Sequence, residues 1–391
     1  MAPPRPLSAV ETGRSLSYIL VADALDECDD ENNIRIIVQL LAKARSLERV
    51  RLRVFLTSRP EVPVRYGFFQ IPNAEHQDFV LHNISPSTVN HDITLFFEYN
   101  LQLIAKERRL CADWPGTEII LQLVRRAYGL FIWAATASRF IHDGRWFANK
   151  RLETILASDS SSTTTAPEKH LDEIYTTVLK NSIHPNYTDG ERKEYCETSK
   201  YILGSVVVLF SPLSACSLGK LLHATESVDQ TLEDFHTILN VPEGKVDPLR
   251  LHHPSFRDFL LNKDRCSDTN FWVDEKQAHQ ILVDNCIKLI AISLTQDICG
   301  VGTPGRLVTD IPRSQVERSL PPELQYACVY WTQHLQKSCA QLNDNDQVHQ
   351  FLQDHLLHWL EALGWIGKVP EGVHAIISLE SFVSVSILLA L

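Results

Sequence analysis

Two short segments carry charged side chains where a parallel sheet would present them to a ligand. The first is Leu20-Val21-Ala22-Asp23-Ala24-Leu25-Asp26-Glu27-Cys28, an apolar run that ends in three carboxylates. A strand buried on both faces reads as a continuous apolar run, and open α/β sheets bind ligands at the carboxyl ends of such strands. An acid at that edge, Asp23, is placed to hold a Mg2+ carried by nucleotide phosphates. The neighbouring Asp26 and Glu27 could orient a water and take its proton for attack on a γ-phosphate. The plainer alternative is that these acids cap the next helix and face solvent. The second segment is Leu56-Thr57-Ser58-Arg59-Pro60-Glu61. A guanidinium fixed at the same edge could sense a γ-phosphate with two parallel hydrogen bonds. Equally, Arg59 could pair with one of the acids after the first strand.

The elements that must position these groups follow from pattern. Residues 18–23 and 53–57 read as buried strands. Between them Ile34, Ile37, Val38, Leu40 and Leu41 fall near helical spacing, with Asp29 or Asp30 as the cap. Residues 78–81 suggest a third strand. Strand, helix, strand implies α/β with a right-handed parallel connection. From residue 86 the pattern is helical: 88–104, 117–128 and 130–141. The run SDSSSTTT at 158–165 marks a linker or long loop. Helix is expected again from 168, then over 191–210 with Pro212 as a stop. Shorter elements follow: helices at 217–223 and 228–239, a strand at 249–252, and a helix at 254–262 opening on Pro254. Helices at 275–294, 321–342, 348–363 and 372–391 complete the chain. Residues 1–17 are Pro-rich and read as a disordered tail. No repeat of fixed period is present.

Composition narrows the function classes. Acids outnumber bases 48 to 37, for a net charge of −11. That balance argues against a nucleic-acid partner, which needs surplus Lys and Arg. The nine cysteines have no C-x-x-C pair, so reduced thiols in an intracellular, cytoplasmic protein are expected, without zinc. His355 and His358 lie three apart in a helical stretch, lack further ligands at useful spacing, and read as ordinary helix residues. The opening has no signal peptide. No run reaches the ~20 apolar residues of a membrane span.

The segments DALDEC and RVFLTSRPE together resemble the Walker B and sensor-1 segments of NACHT domains. They are most similar to fungal NACHT proteins with C-terminal WD40 repeats, members of the STAND class of NTPases. The resemblance continues through Gly129-Leu130-Phe131-Ile132-Trp133-Ala134-Ala135 and His253-Pro254-Ser255-Phe256-Arg257-Asp258-Phe259-Leu260. It runs on through 320–328 and 355–363, and so covers nearly all of the chain after residue 17.

This resemblance implies a division into a nucleotide-binding core (18–85), a helical lid (86–157), a polar linker (158–167), a winged-helix-like domain (168–265) and a C-terminal helical domain (266–391). It implies ATP or ADP with Mg2+ as cofactor. Asp23 matches the metal-binding acid, Asp26 and Glu27 the acids near the attacking water, and Arg59 the sensor arginine. His253 matches a winged-helix histidine that contacts the β-phosphate of bound ADP, with Pro254 where the related pattern has an acid. The alternative for His253 is a core histidine bonded to the backbone.

One departure carries more weight than the matches. The family's G-x-x-x-x-G-K-[ST] loop, whose amides, lysine and hydroxyl hold the phosphates and Mg2+, does not occur in the 391 residues. The sequence therefore reads as a partial NACHT protein, not an efficient ATPase, with weak or no nucleotide binding expected. Propeller repeats are also missing from the end. Protein partners are expected, among them full-length relatives, with no nucleic acid and no membrane. Two further readings stand beside this one: a nucleotide-independent helical module or inhibitor of full-length relatives, and a truncated gene model or degraded copy.

Overall fold

A computed structural model describes residues 16–388 apart from 29–30, 45–49, 60–61, 70, 73–75, 80, 112, 158–166, 243, 245, 304, 341 and 343–345. The chain divides into two units, Met1–Ser85 and Pro86–Leu391. At the coarse level the architecture is α/β followed by all-α, as the pattern suggests.

In the first unit β1 (Leu16–Ala22) and β2 (Val50–Leu56) pair in parallel, in register from Leu16 with Val50 to Ala22 with Leu56. The crossover contains α1 (Glu31–Lys43), and α2 (Val62–Phe69) follows β2. Ile34 and Val38, one helical turn apart on α1, meet Val64 of α2 and Leu25 to make a small core. The two helices approach closely at Gly67, where a Cβ would lie 3.2 Å from Val38 Cγ1.

Three expectations need correction here. The strands are where the sequence puts them, but they are not buried on both faces: Ile19, Val21 and Phe55 are 75%, 63% and 57% exposed. Two strands and two short helices supply too little surface to cover both sides of a sheet. The described part of 78–81, residues 78, 79 and 81, forms no strand. Leu81–Asn83 is a single 3₁₀ turn, and Phe79 and Leu81 are exposed, so the apolar pair two residues apart faces no core. Finally, regular structure begins at Leu16, inside the expected tail. The expected caps Asp29 and Asp30 and the run 158–165 lie outside the described residues.

The second unit starts with α3 (Pro86–Arg108), α4 (Thr117–Ala127), α5 (Phe131–Asp143) and α6 (Ala148–Ala157). Phe97, Leu101 and Ile104 of α3 pack with Leu123 of α4 and Trp133 and Ala137 of α5. Next come α7 (Pro167–Ser182) and α8 (Asp189–Val208). Thr188 and Glu191 close the start of α8 with reciprocal hydrogen bonds, a capping box, and Pro212 follows its end. Then α9 (Ala215–Leu221), α10 (Thr225–Glu233), β3 (Leu239–Asn240), β4 (Arg250–Leu251) and α11 (Ser255–Leu261) form a compact group. β3 and β4 are antiparallel, and a bridge joins Ser214 to Pro248. Helix α10 stops at Glu233 rather than 239, because the chain turns there to bury Phe235 and Ile238 and to enter β3.

The remaining helices are α12 (Glu275–Ser293), α13 (Arg313–Ser319), α14 (Pro322–Ser338), α15 (Gln347–Trp365) and α16 (Val369–Leu388). Helix α14 ends four residues early, at left-handed Cys339. Trp331 and Trp359 meet edge to face at 5.5 Å, and the Trp359 indole donates to Cys328 O at 2.8 Å. No helix among the described residues is long and apolar enough to cross a membrane.

Candidate functional site

The carboxyl ends of β1 and β2 are neighbours because the register is in step. Past Ala22 the chain turns at once: Ala24 takes a left-handed conformation (φ 52°) and Leu25–Glu27 forms a 3₁₀ turn. Thr57 knits the two strand ends together. Its N–H donates to Ala22 O at 3.0 Å, and its carbonyl accepts from Leu25 N at 2.9 Å. Its hydroxyl accepts from Ala24 N at 2.8 Å and donates to the Asp23 carboxylate.

Asp26 is held just as firmly. Oδ1 accepts from Arg59 N at 2.8 Å and Ser58 Oγ at 3.1 Å, and Oδ2 lies 3.5 Å from Arg59 Nε. The Asp26 side chain is 8% exposed and that of Arg59 is 46% exposed. The fold thus brings Asp23, Asp26 and Arg59 to one edge, and here Arg59 is the partner of Asp26. The Glu27 side chain lies outside the described residues.

His253 belongs to the second unit, between β4 and α11, and is half-buried. Its Nδ1 accepts from Ser255 N at 3.1 Å and lies 2.7 Å from Ser255 Oγ, which in turn lies 2.8 Å from Tyr175 OH. A backbone N–H can only donate, so Nδ1 is the acceptor and the neutral ring carries its proton on Nε2. Burial pushes the Tyr175 phenol up. His252 turns elsewhere, its Nε2 meeting His236 O at 3.0 Å. Among the described residues no group of acids, histidines and cysteines has the makings of a metal cage.

Sequence reading names Thr57 and Ser58 but not their work. The signal was available: hydroxyls at one strand end opposite carboxylates at the next. Tyr175 carries no such signal, since it reaches Ser255 from 80 residues away.

A family model described as "Nephrocystin 3, N-terminal" matches residues 6–59, a span that ends on Arg59 and so takes in both strand ends. The chain is also 24% identical over 399 residues to "Vegetative incompatibility protein HET-E-1" of Podospora anserina, an alignment covering 95% of this chain. Together the two matches support a fungal NACHT-type protein. The chain spans only 27% of the length of that relative. The family model is confined to the strand-end region, while the alignment with the relative extends over 95% of the chain and so through the helices.

Proposed function

We propose that this chain is the nucleotide-switch part of an incompatibility signalling protein, and that alone it binds ATP weakly and hydrolyses it poorly. The observation that carries the reading is the strand-end edge itself. Asp23 beside the Thr57 hydroxyl suits a hard cation that takes one carboxylate and leaves its other positions to water and phosphate oxygens. The same edge suits a triphosphate badly. The N–H groups of Ala24, Leu25, Thr57 and Arg59 are all spent on internal partners. A phosphate cradle needs amides that point outward. The residues therefore fit the metal and not the phosphates, and no hydrolytic step is assigned to them.

Within this reading Asp23 is the Mg2+ acid, and Asp26 and Glu27 are vestigial groups for the attacking water. Arg59 reaches a γ-phosphate only by leaving Asp26. His253, with Nε2 carrying the proton, would donate toward a β-phosphate of ADP. Residues 86–157 would be the lid, 168–265 the winged-helix-like domain and 266–391 the C-terminal helical domain. The support for the winged helix is the order of α9, α10, β3, β4 and α11. A cytoplasmic location and protein partners, full-length relatives included, belong to the same proposal. Calorimetric titration of the chain with ATP and Mg2+ tests it. Millimolar or undetectable affinity is expected, and micromolar binding would overturn it.

A second reading is favoured by the extent of the helical core. One continuous apolar cluster runs from Ile93 to Leu379, so the second unit has the core of a stable docking module without nucleotide. Capture of a full-length relative by this chain, unchanged on adding ATP or ADP, would support it. No capture would count against it.

A further inference from the structure

A polar cavity of about 660 Å3 opens in the second unit, bounded by the corner between α5 and α6, the end of α7 and the turn after α10. Neither His253 nor its partners Ser255 and Tyr175 line it. Its apolar lining is limited to Phe140 and Val178, so a hydrophobic ligand gains little there.

Local rules of structure are broken around it. Arg145 takes a left-handed backbone (φ 47°), which disfavours a residue with a Cβ by about 1–2 kcal/mol. Helix α10 ends in Glu233 with Asp234 as its C-cap and has no base in its last turn. Two carboxylates thus sit at the negative end of a helix dipole. Arg151 is half-buried, with its guanidinium 4.7 Å from the Phe140 ring centre and Nη1 donating to Phe140 O at 2.8 Å. It lies against the backbone of Gly144, where a Cβ would stand 2.8 Å from Arg151 Cδ. Among the described residues neither Arg145 nor Arg151 forms an ion pair.

Two of the three acids of the lining accept from neutral hydroxyls, and Asp143 also lies 3.6 Å from His142 Nδ1. Thr237 Oγ1 donates to Asp143 Oδ2 at 2.6 Å, and Tyr195 OH donates to Asp234 Oδ2 at 2.9 Å. Charges of both signs therefore line one polar cavity, and neither arginine comes within ion-pair distance of its acids. Burial lowers Arg151 and raises Asp234, and the attraction between these opposite charges across the cavity offsets only part of it. Departures from local rules that converge on one place are the mark of a functional site.

We propose that this cavity binds a small zwitterion, an ammonium and a carboxylate on one molecule, as in a free amino acid or a short peptide. The carboxylate meets Arg145 and Arg151, and the ammonium meets Glu233 and Asp234 at the end of α10. A purely anionic ligand would face three carboxylates, and a purely cationic one would face two guanidiniums. Only a molecule with both ends satisfies the lining.

The test is calorimetric titration and thermal melting of the whole chain with glycine, lysine, glutamate and alanine peptides of increasing length. The same peptides are run acetylated at the amine or amidated at the carboxylate. Saturable binding with a raised melting temperature is expected, and it is lost when either end is blocked. Whether the free amino acids or the peptides bind tells the two sources apart. Arg145→Gln and Glu233→Gln should each weaken binding about tenfold or more, the effect of losing one charge-assisted hydrogen bond. No binding by any member of the panel would overturn the proposal, as would equal binding of blocked and free peptides or unchanged affinity in both variants. Should a variant fail to fold, the blocked peptides on the unaltered chain decide the matter.

Discussion

The Nδ1 atoms of His279 on α12 and His334 on α14 lie 2.7 Å apart inside the second unit. The direction of every proton in this network follows from one backbone donor. Phe210 N donates to Tyr326 OH at 3.2 Å, so the phenol proton goes to His334 Nε2 at 2.7 Å. His334 then donates from Nδ1 to His279 Nδ1, and His279 keeps its proton on Nε2, 3.9 Å from Glu275. Both rings are neutral; His279 stacks on Phe210, and His334 meets it at a tilt with centroids 4.6 Å apart.

Acid should unfold this region. Burial holds both histidines well below the ordinary 6.5, and the positive charges of Arg257 and Lys337 add to the effect on His279. A depressed histidine contributes stability that is complete above the unfolded value near 6.5 and is lost as pH falls below it. Each ring then costs up to about 1.4 kcal/mol per pH unit. Melting temperature should hold above pH 6.5 and drop steadily from there to about pH 4. Replacing both rings by Phe should flatten that dependence, and an unchanged slope would refute the assignment.

Asp26→Ala should loosen the strand ends. It removes the acceptor of Arg59 N at an exposed site, a loss of about 0.5–1.5 kcal/mol, while Ser58 Oγ keeps Arg59 O at 3.0 Å. Hydrogen exchange at Arg59 N should speed up. Arg59→Ala should cost much less, since its guanidinium is half exposed and keeps water as a partner.

Gly67→Ala should crowd Val38 and destabilise the first unit by roughly 1 kcal/mol. Adding Val38→Ala should recover part of that loss relative to Val38→Ala alone. Urea unfolding of the four chains measures the coupling, and strict additivity would show that the two residues do not meet as described.

Thr188→Ala removes the cap of α8 and should cost about 1 kcal/mol. Circular dichroism during urea unfolding would show a lower midpoint with an unchanged slope.

How much of this was legible beforehand depended on the range of the interaction. Helices such as α4, α5 and α12 were marked by their own apolar spacing and turned out within a few residues of expectation. Ends were missed where tertiary burial decided them, as with Phe235 and Ile238 after α10. The acids and the arginine of the candidate site could be placed because strand ends fall at fixed points of an apolar run. The pairing of Arg59 with Asp26 could only be offered as one of two choices, because it depends on register. The His279–His334 contact and the charged cavity gave no signal at all, since each joins side chains remote in sequence.

The open ribbon of β1 and β2 has a bearing on handling and on life inside a cell. Ile19, Val21 and Phe55 face outward on strands whose other edges have no partner among the described residues. A two-stranded ribbon with open edges and exposed apolar side chains is a template onto which another strand can zip, so the chain should self-associate with rising concentration and call on chaperones. Charged replacements at Ile19 and Phe55 would make it easier to keep in solution, leaving the helical remainder untouched.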